Sequence, residues 1–283
     1  MSQVIRLKSD LKNAIYKLKK SNASIGLVPT MGALHQGHLE LVQLSMERYD
    51  VSIATIFVNP IQFNKKEDLE KYPKTEQADI QKLEEVGCDY IFIPNAAEIY
   101  EYQPKINLNF GYLEQILEGK HRPGHFNGVG IIVMKLFGLV NPDGAFFGQK
   151  DLQQFAIISA LVTDFDLPFT LHLAPTVREA SGLAMSSRNK RLGEEELKTA
   201  GVIYSTLQSA SKQLVQGVSQ NIILEDAMLL FKNTAGIELE YFEIVDAKTL
   251  QHKSVVNEGD RLALCAAAVV AGVRLIDNII IEI

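Results

Sequence analysis

A chain of 283 residues can form one large domain or two ordinary ones, and it can bury a sizeable core without disulfide or metal staples. Hydrophobic residues at 47% and charged residues at 22% exclude a disordered or fibrous chain. The formal net charge of -6 supplies no general field for holding DNA or RNA, so an anionic ligand has to be a small molecule gripped by a local cluster of donors.

The opening segment, MSQVIRLKSDLKNAIYKLKK, has no apolar signal core and reads as a strand-like lead into an amphipathic helix. From there to about residue 176, short apolar runs alternate with helical periods. SIGLV (24–28), VSIATIFV (51–58), YIFIP (90–94) and GAFFG (144–148) predict buried strands, and helices are predicted near 37–49, 75–86, 127–140 and 151–164. This alternation predicts an α/β fold built on a doubly wound parallel sheet, whose ligands bind beyond the carboxyl ends of the strands. After Pro175 the texture changes. Helices at about 194–215 and 221–233 are followed by LEYFEIVDA, RLALCAAAVV and VRLIDNIIIEI, which predict an antiparallel sheet in a smaller C-terminal α+β domain. The expected division is 1–176 and 177–283. The most hydrophobic window, 262–273, is shorter than the roughly 20 residues a membrane helix needs. It predicts a buried strand, and with it a cytoplasmic protein with no membrane partner. Cys88 and Cys265 lie far apart in apolar stretches, without CxxC or zinc spacing, and read as buried structural thiols.

Polar functional groups gather in the loops that follow the predicted strands. In VPTMGALHQGHLELV a strand gives way at Val28 to a turn with Pro29 and Gly32, and a helix opens near Gly37 or His38. His35 and His38, three residues apart, share one face if both lie in the first turn. The unpaired backbone N–H groups of a helix start favour an anion, and imidazoles there can donate to phosphate oxygens. The pair lacks the i, i+4 spacing of helical zinc ligands, and no third ligand is apparent. A second cluster, FFGQKDLQQF, offers Gly148 for close backbone approach, Lys150 as a point charge for phosphate, and Asp151 as a helix cap. Gln153 and Gln154 add neutral amides. A third, REASGLAMSSRNKRL, brings Ser186, Ser187 and Arg188 together near Gly182 and predicts a flexible anion clamp able to act as a lid.

These segments together resemble the pantothenate synthetase family, the pantoate–β-alanine ligases of the nucleotidylyltransferase-like superfamily. PTMGALHQGHLELV resembles that superfamily's HIGH signature and AMSSRN its KMSKS loop. IFVNPIQF (56–63), YPKT (72–75), RPGHFNGV (122–129), FFGQKDLQQ and PTVREASGLAMSSRN (175–189) follow in the family's order, while the last 90 residues carry little motif information. The resemblance implies a Rossmann-like first domain that binds nucleotide and pantoate, with ATP, pantoate and β-alanine as small-molecule partners. It implies a two-step reaction through a pantoyl adenylate that releases pyrophosphate and then AMP, in the route to vitamin B5 and coenzyme A, and a homodimer. By the same resemblance, His35, His38, Lys150, Arg188, Ser186 and Ser187 serve catalysis, with His38 as the proton donor. Met31, Gly32, Gly148, Asp151, Val177 and Met185 join them around ATP, and Gln62, Gln154 and Asn59 bind the pantoate and β-alanine side. Where the family often carries two adjacent acidic residues near Mg2+, this chain has Ala78 and then Asp79, which leaves Asp79 as the candidate metal ligand. The alternatives are a nucleotidylyltransferase acting on a phosphorylated acceptor, which would call for more basic residues than Asn59, Gln62 and Gln154 supply, and a non-catalytic nucleotide-binding regulator.

Overall fold

The computed structural model describes residues 2–64 and 66–283. Two compact units emerge, one made of the chain up to Gly148 together with Ile157–Ala174, the other of Gln149–Ala156 with Pro175–Ile283. The break at Pro175 lies beside the expected one at 176. The short piece 149–156 belongs by its contacts to the second unit, whereas a single cut in the sequence leaves it with the first.

In the first unit β1 (Gln3–Ile5) leads into α1 (Lys8–Lys20). Then come β2 (Ile25–Thr30), α2 (Gln36–Arg48), β3 (Val51–Ile56), α3 (Lys66–Glu70), α4 (Glu76–Glu85), β4 (Tyr90–Phe92), α5 (Ala96–Ile99), α6 (Leu117–His121), α7 (His125–Val140) and β5 (Gly144–Gly148). Helix α8 (Leu152–Asp164) starts in the second unit and continues in the first, which β6 (Thr170–Ala174) completes. The six strands pair in parallel in the order β1-β4-β3-β2-β5-β6. From β2 the chain winds outward through β3 and β4, then returns to lay β5 and β6 on the other side. The switch point of this Rossmann-like sheet therefore falls at β2 and β5, where such sheets bind ligands.

Residue pairing explains why a crevice opens there. β2 stays paired with β3 up to Thr30 and Ile56, and β5 with β6 up to Gly148 and Ala174, but β2 and β5 pair only at Gly26–Gly144 and Leu27–Ala145. The Thr30 carbonyl accepts from the Phe57 N–H on the β3 side. Pro29, one residue earlier, therefore turns its donorless nitrogen toward β5, where pairing has already ended, and that lets a proline sit in a central strand. The strand consequently runs two residues past its predicted end at Val28. β6 was not predicted. It is an edge strand whose apolar run is interrupted by His172, and its residues up to Leu173 are partly exposed. The core on the α2 and α4 side of this sheet includes Val28, Val42, Ala54, Leu83, Ile91 and Phe146. Cys88 is buried there, and burial pushes its thiol up to about 12, as expected of a structural cysteine.

The second unit carries α9 (Glu194–Val215), α10 (Gln220–Asn233) and the antiparallel strands β7 (Ile237–Asp246), β8 (Arg261–Val270) and β9 (Val273–Glu282). Ile203, Leu207, Phe231, Leu264 and Leu275 are among its core residues. No helix among the described residues is long and apolar enough to cross a membrane.

A buried ion pair ties the loops of this unit to β9. Arg178 donates to both carboxylate oxygens of Asp277 at 2.5 and 3.0 Å, to the Gly182 and Asn278 carbonyls at 3.0 and 3.2 Å, and stacks on the Tyr204 ring at 3.8 Å. Burial pushes the Asp277 carboxyl up, and the Arg178 guanidinium opposes that shift. Asn278 next to it donates to the Gln149 and Lys150 carbonyls at 2.8 and 3.0 Å, which is why 149–156 belongs to this unit. Arg178→Met would strand the Asp277 carboxylate without its partner and is expected to cost about 3–5 kcal/mol of stability in urea unfolding. A loss below about 1 kcal/mol would mean that the pair is replaceable by packing.

Candidate active site

The loop after β2 has a shape that few sequences can adopt. Gly32 and Ala33 are both left-handed, with φ of +79° and +51°. A Cβ on Gly32 would lie 3.1 Å from both Asp79 Oδ2 and Ile56 Cγ2, so a side chain there would be strained by the conformation and would push on both neighbours. Successive N–H groups of this loop point at one carboxylate on α4. Ala33 N donates to Asp79 Oδ2 and Leu34 N to Asp79 Oδ1, both at 2.8 Å, and the Thr75 hydroxyl donates to Oδ2 at 3.0 Å. Lys82, one turn further along α4, donates to the Leu34 carbonyl at 2.6 Å. Asp79 is 1% exposed. The expectation of Asp79 as a magnesium ligand is thereby corrected: both oxygens are committed to the loop and withdrawn from solvent, so the residue is a brace. No group of three or more His, Cys, Asp or Glu side chains among the described residues could hold a metal ion.

The brace delivers the chain to α2, whose N-cap is His35 in extended conformation. His35 and His38 form a reciprocal capping box, and their ring centroids lie 4.0 Å apart. His38 Nδ1 accepts the His35 N–H at 3.3 Å. A backbone N–H only donates, so that nitrogen carries the lone pair and the neutral ring bears its proton on Nε2. This cap is compatible with an anion at the helix start, because the Nδ1 contact sets the tautomer of the ring. Helix α2 can approach the sheet closely because Gly26 and Gly144 sit paired beneath it. A Cβ on either would come within 2.1 Å of Ser45 Oγ or 2.0 Å of the Tyr49 hydroxyl.

Near the same end of the first unit, Asn59 and Gln62 are held at a 3-10 turn, Pro60–Gln62. Both are buried, Asn59 at 1% and Gln62 at 7% exposure. The Asn59 Nδ2 donates to Gln62 Oε1 at 3.0 Å, and Gln62 Nε2 donates to the Met31 sulfur at 2.8 Å. Met31, Asn59 and Gln62 thus form one contiguous group. Gly148 ends β5 at the switch point.

In the second unit, Val177–Met185 folds into a small hairpin. Met185 N donates to the Val177 carbonyl at 2.9 Å, Arg178 bridges Ala184, and the turn at Gly182 has φ +88°. The segment expected to be a flexible clamp is therefore pinned by its own hydrogen bonds and by Arg178. The Ser186 hydroxyl oxygen accepts from Arg188 N at 3.2 Å and so caps the 3-10 turn Ser187–Arg191, and its proton remains for donation. Lys150, Ser186 and Arg188 line one small pocket with Arg274, whose Nε pairs with Glu240 at 2.8 Å. Sequence reasoning missed Arg274, whose only signal there is a cation directly after the apolar run 262–273. Lys150 lies 3.6 Å from Asp151. Gln153 is buried on α8, and Gln154 is partly exposed beside it.

Replacing Asp79 with Asn would set an amide N–H2 against a backbone N–H. The Asp79→Asn protein is expected to lose about 1–3 kcal/mol of stability and to bind ATP more weakly. Unchanged urea unfolding and nucleotide titration together would refute the brace.

Known proteins resemble this chain along its length. The profile of the pantoate-beta-alanine ligase family matches residues 3–280. The pantothenate synthetase of Cytophaga hutchinsonii is 46% identical over 267 residues, 93% of each chain. The crystal structure of pantothenate synthetase from Thermus thermophilus superposes with a TM-score of 0.90 at 35% identity, covering 98% of both chains. That of the pantoate-beta-alanine ligase from Francisella tularensis, complexed with beta-gamma ATP and beta-alanine, does so at 0.83 and 33% identity, covering 99% of this chain and 97% of that one. The family match along nearly the whole length leaves neither alternative standing, and the chain belongs to the pantoate–β-alanine ligase family.

Proposed function

We propose that this chain uses ATP to join pantoate to β-alanine through a pantoyl adenylate, with the residues above in specific roles. The observation that carries the assignment is the α2 start, where a helix N-terminus stands beside His35 and His38, with His38 Nδ1 accepting the His35 N–H. In the first step a pantoate carboxylate oxygen attacks the α-phosphorus, the bond to the bridging oxygen breaks, and pyrophosphate leaves with the electron pair. His38 and His35 donate to the oxygens on which charge develops. Lys150, Arg188 and the hydroxyls of Ser186 and Ser187 are assigned to the same phosphates, with Asp151 beside Lys150. Met31, Gly32, Gly148, Val177 and Met185 are assigned to the nucleotide, and Asn59, Gln62 and Gln154 to pantoate and β-alanine. In the second step the neutral amine of β-alanine attacks the acyl carbon, the bond to the phosphoryl oxygen breaks, AMP leaves, and the amine's extra proton passes to solvent. Catalysis rests on positioning and on preorganised donors, with no covalent enzyme intermediate.

Magnesium is assigned to the ATP complex, held by phosphate oxygens and water, since the described residues offer it no protein cage. No step depends on a protein-bound metal. A cytoplasmic homodimer completes the reading. Its support is the family resemblance and the need for ATP, and light scattering at twice the chain mass is the expected result.

Incubation with ATP, magnesium and pantoate should yield AMP only when β-alanine is also present, and AMP release independent of either acid would refute the assignment. His38→Ala should fold normally and slow adenylate formation by roughly a hundredfold or more; near-normal single-turnover formation would remove His38 from the role. For Arg188→Ala the expected change is weaker ATP binding in an equilibrium titration, and an unaltered affinity would exclude it from the nucleotide.

A further inference from the structure

Strand β7 carries one residue more than its partner. Leu239 pairs with Ala268 and Tyr241 with Ala267, so Glu240 between them has no opposite number in β8. A bulge of this kind interrupts the ladder at one point and re-aims a side chain, and bulges gather beside active sites. Here the Glu240 carboxylate reaches across the sheet to Arg274 on β9, whose Nε donates to Oε2 at 2.8 Å while Nη2 donates to the same oxygen. The two side chains are only 25% and 27% exposed, so their charges are screened less than those of a surface pair.

Arg274 also lines the small pocket that holds Lys150, Ser186 and Arg188. The frame of that pocket is β9 itself. The turns Gln149–Asp151 and Ser187–Arg191 both pack against this strand. Asn278 donates to the Lys150 carbonyl from four residues beyond Arg274, about 13 Å along an extended chain. Three cations around one pocket repel each other, and an anion between them relieves that repulsion. Two of them stand beside a carboxylate: Lys150 Nζ lies 3.6 Å from Asp151, and Arg274 is held by Glu240. A carboxylate on one edge of a guanidinium both offsets its charge and fixes the direction of a rigid, planar group.

We propose that Arg274 binds the pyrophosphate half of ATP, with Glu240 as the residue that positions it. The inference rests on the assignment of Lys150, Ser186 and Arg188 to the phosphates made above. Its chemical reason is the leaving group. When the bond between the α-phosphorus and the bridging oxygen breaks, the electron pair stays with pyrophosphate, and negative charge builds up there. A guanidinium already fixed in the folded chain stabilises that charge without reorganising at the moment of reaction. Glu240 in turn offsets part of the repulsion among the three cations, which lets them stay together between turnovers.

The test is inhibition of the full chain by magnesium pyrophosphate and, separately, by AMP, read as Ki values alongside the KM for ATP. Arg274→Gln should raise the pyrophosphate Ki and the KM for ATP roughly tenfold, as expected of losing one charged partner of an anion. The Ki for AMP and the KM for pantoate should stay near those of the parent, because neither molecule contains that half of ATP. An unchanged pyrophosphate Ki overturns the inference, and so does an equal rise in the Ki for AMP, which marks a structural role. Arg274→Gln also leaves the Glu240 carboxylate beside the pocket, where it repels phosphate by itself. The double variant Glu240→Gln, Arg274→Gln removes the pair as a whole, and it serves too if the single variant does not fold. The same loss in the double variant supports a missing cation, and parent-like pyrophosphate affinity overturns it. Glu240→Ala adds net positive charge, which alone would tighten pyrophosphate. A raised Ki in that variant therefore reads lost positioning, and a lower or unaltered one overturns the role of Glu240. A parent that shows no pantoate-dependent AMP release, or a pyrophosphate Ki unmoved by Arg188→Gln, defeats the underlying reading of the site instead.

Discussion

A single carboxylate in the wrong place would undo the first unit's half of this enzyme. Asp79 reaches from α4 to take the N–H groups of Ala33 and Leu34, and in doing so holds two consecutive left-handed residues in a conformation that L side chains resist. The cost of that backbone is met by three hydrogen bonds to a buried charge and by the Lys82 bond to the following carbonyl. Everything downstream inherits the geometry: the position at which α2 begins, the extended conformation of His35, and the reach of His38 back to the His35 N–H. The glycines under α2 perform the complementary task on the sheet side by letting the helix come close.

Within each unit, several of these polar side chains are oriented by backbone atoms. A main-chain N–H fixes the proton of His38, a main-chain carbonyl fixes the Asn59 amide, and Arg188's own N–H engages the Ser186 oxygen. Backbone donors and acceptors cannot invert their polarity, so the His38 ring and the Asn59 amide anchored to them have a fixed orientation. This is electrostatic preorganisation of the kind that acyl-adenylate chemistry requires, since charge moves from carboxylate to phosphate without a covalent enzyme intermediate. In the second unit Lys150, Arg188 and Arg274 share a pocket, while the groups proposed for ligands in the first unit are imidazoles and amides. A neutral amide can bind the attacking carboxylate without quenching its nucleophilicity as strongly as a cation would.

Much of this was legible along the chain. The alternation of strands and helices, the HxxH pair at a helix start, the Lys150 turn, the Ser-Ser-Arg segment and the antiparallel C-terminal strands all follow from periodicity and from residues whose chemistry is local. Asp79 shows where such reasoning stops. An aspartate three residues into a helix looks solvated or metal-facing until its partners are known, and those partners, Ala33 and Leu34, lie more than forty residues away. Strand β6 escaped for the opposite reason, since an edge strand needs only one good face and so carries a weak apolar signal.

What the sequence by itself determined, then, is the inventory: an α/β chain with a second α+β part, the order of its motifs, and the family to which those motifs belong. The fold class depends on hydrophobic period, and the family on the resemblance of short motifs, both of which a linear reading contains. The tertiary structure alone decided which groups are committed, and to which distant partners. It committed Asp79 to the N–H groups of Ala33 and Leu34, set His38 Nδ1 against the His35 N–H, and made residues 149–156 part of the second unit. The physical reason is that a hydrogen-bonding group has few valences, and only the folded chain shows which of them distant partners have already filled.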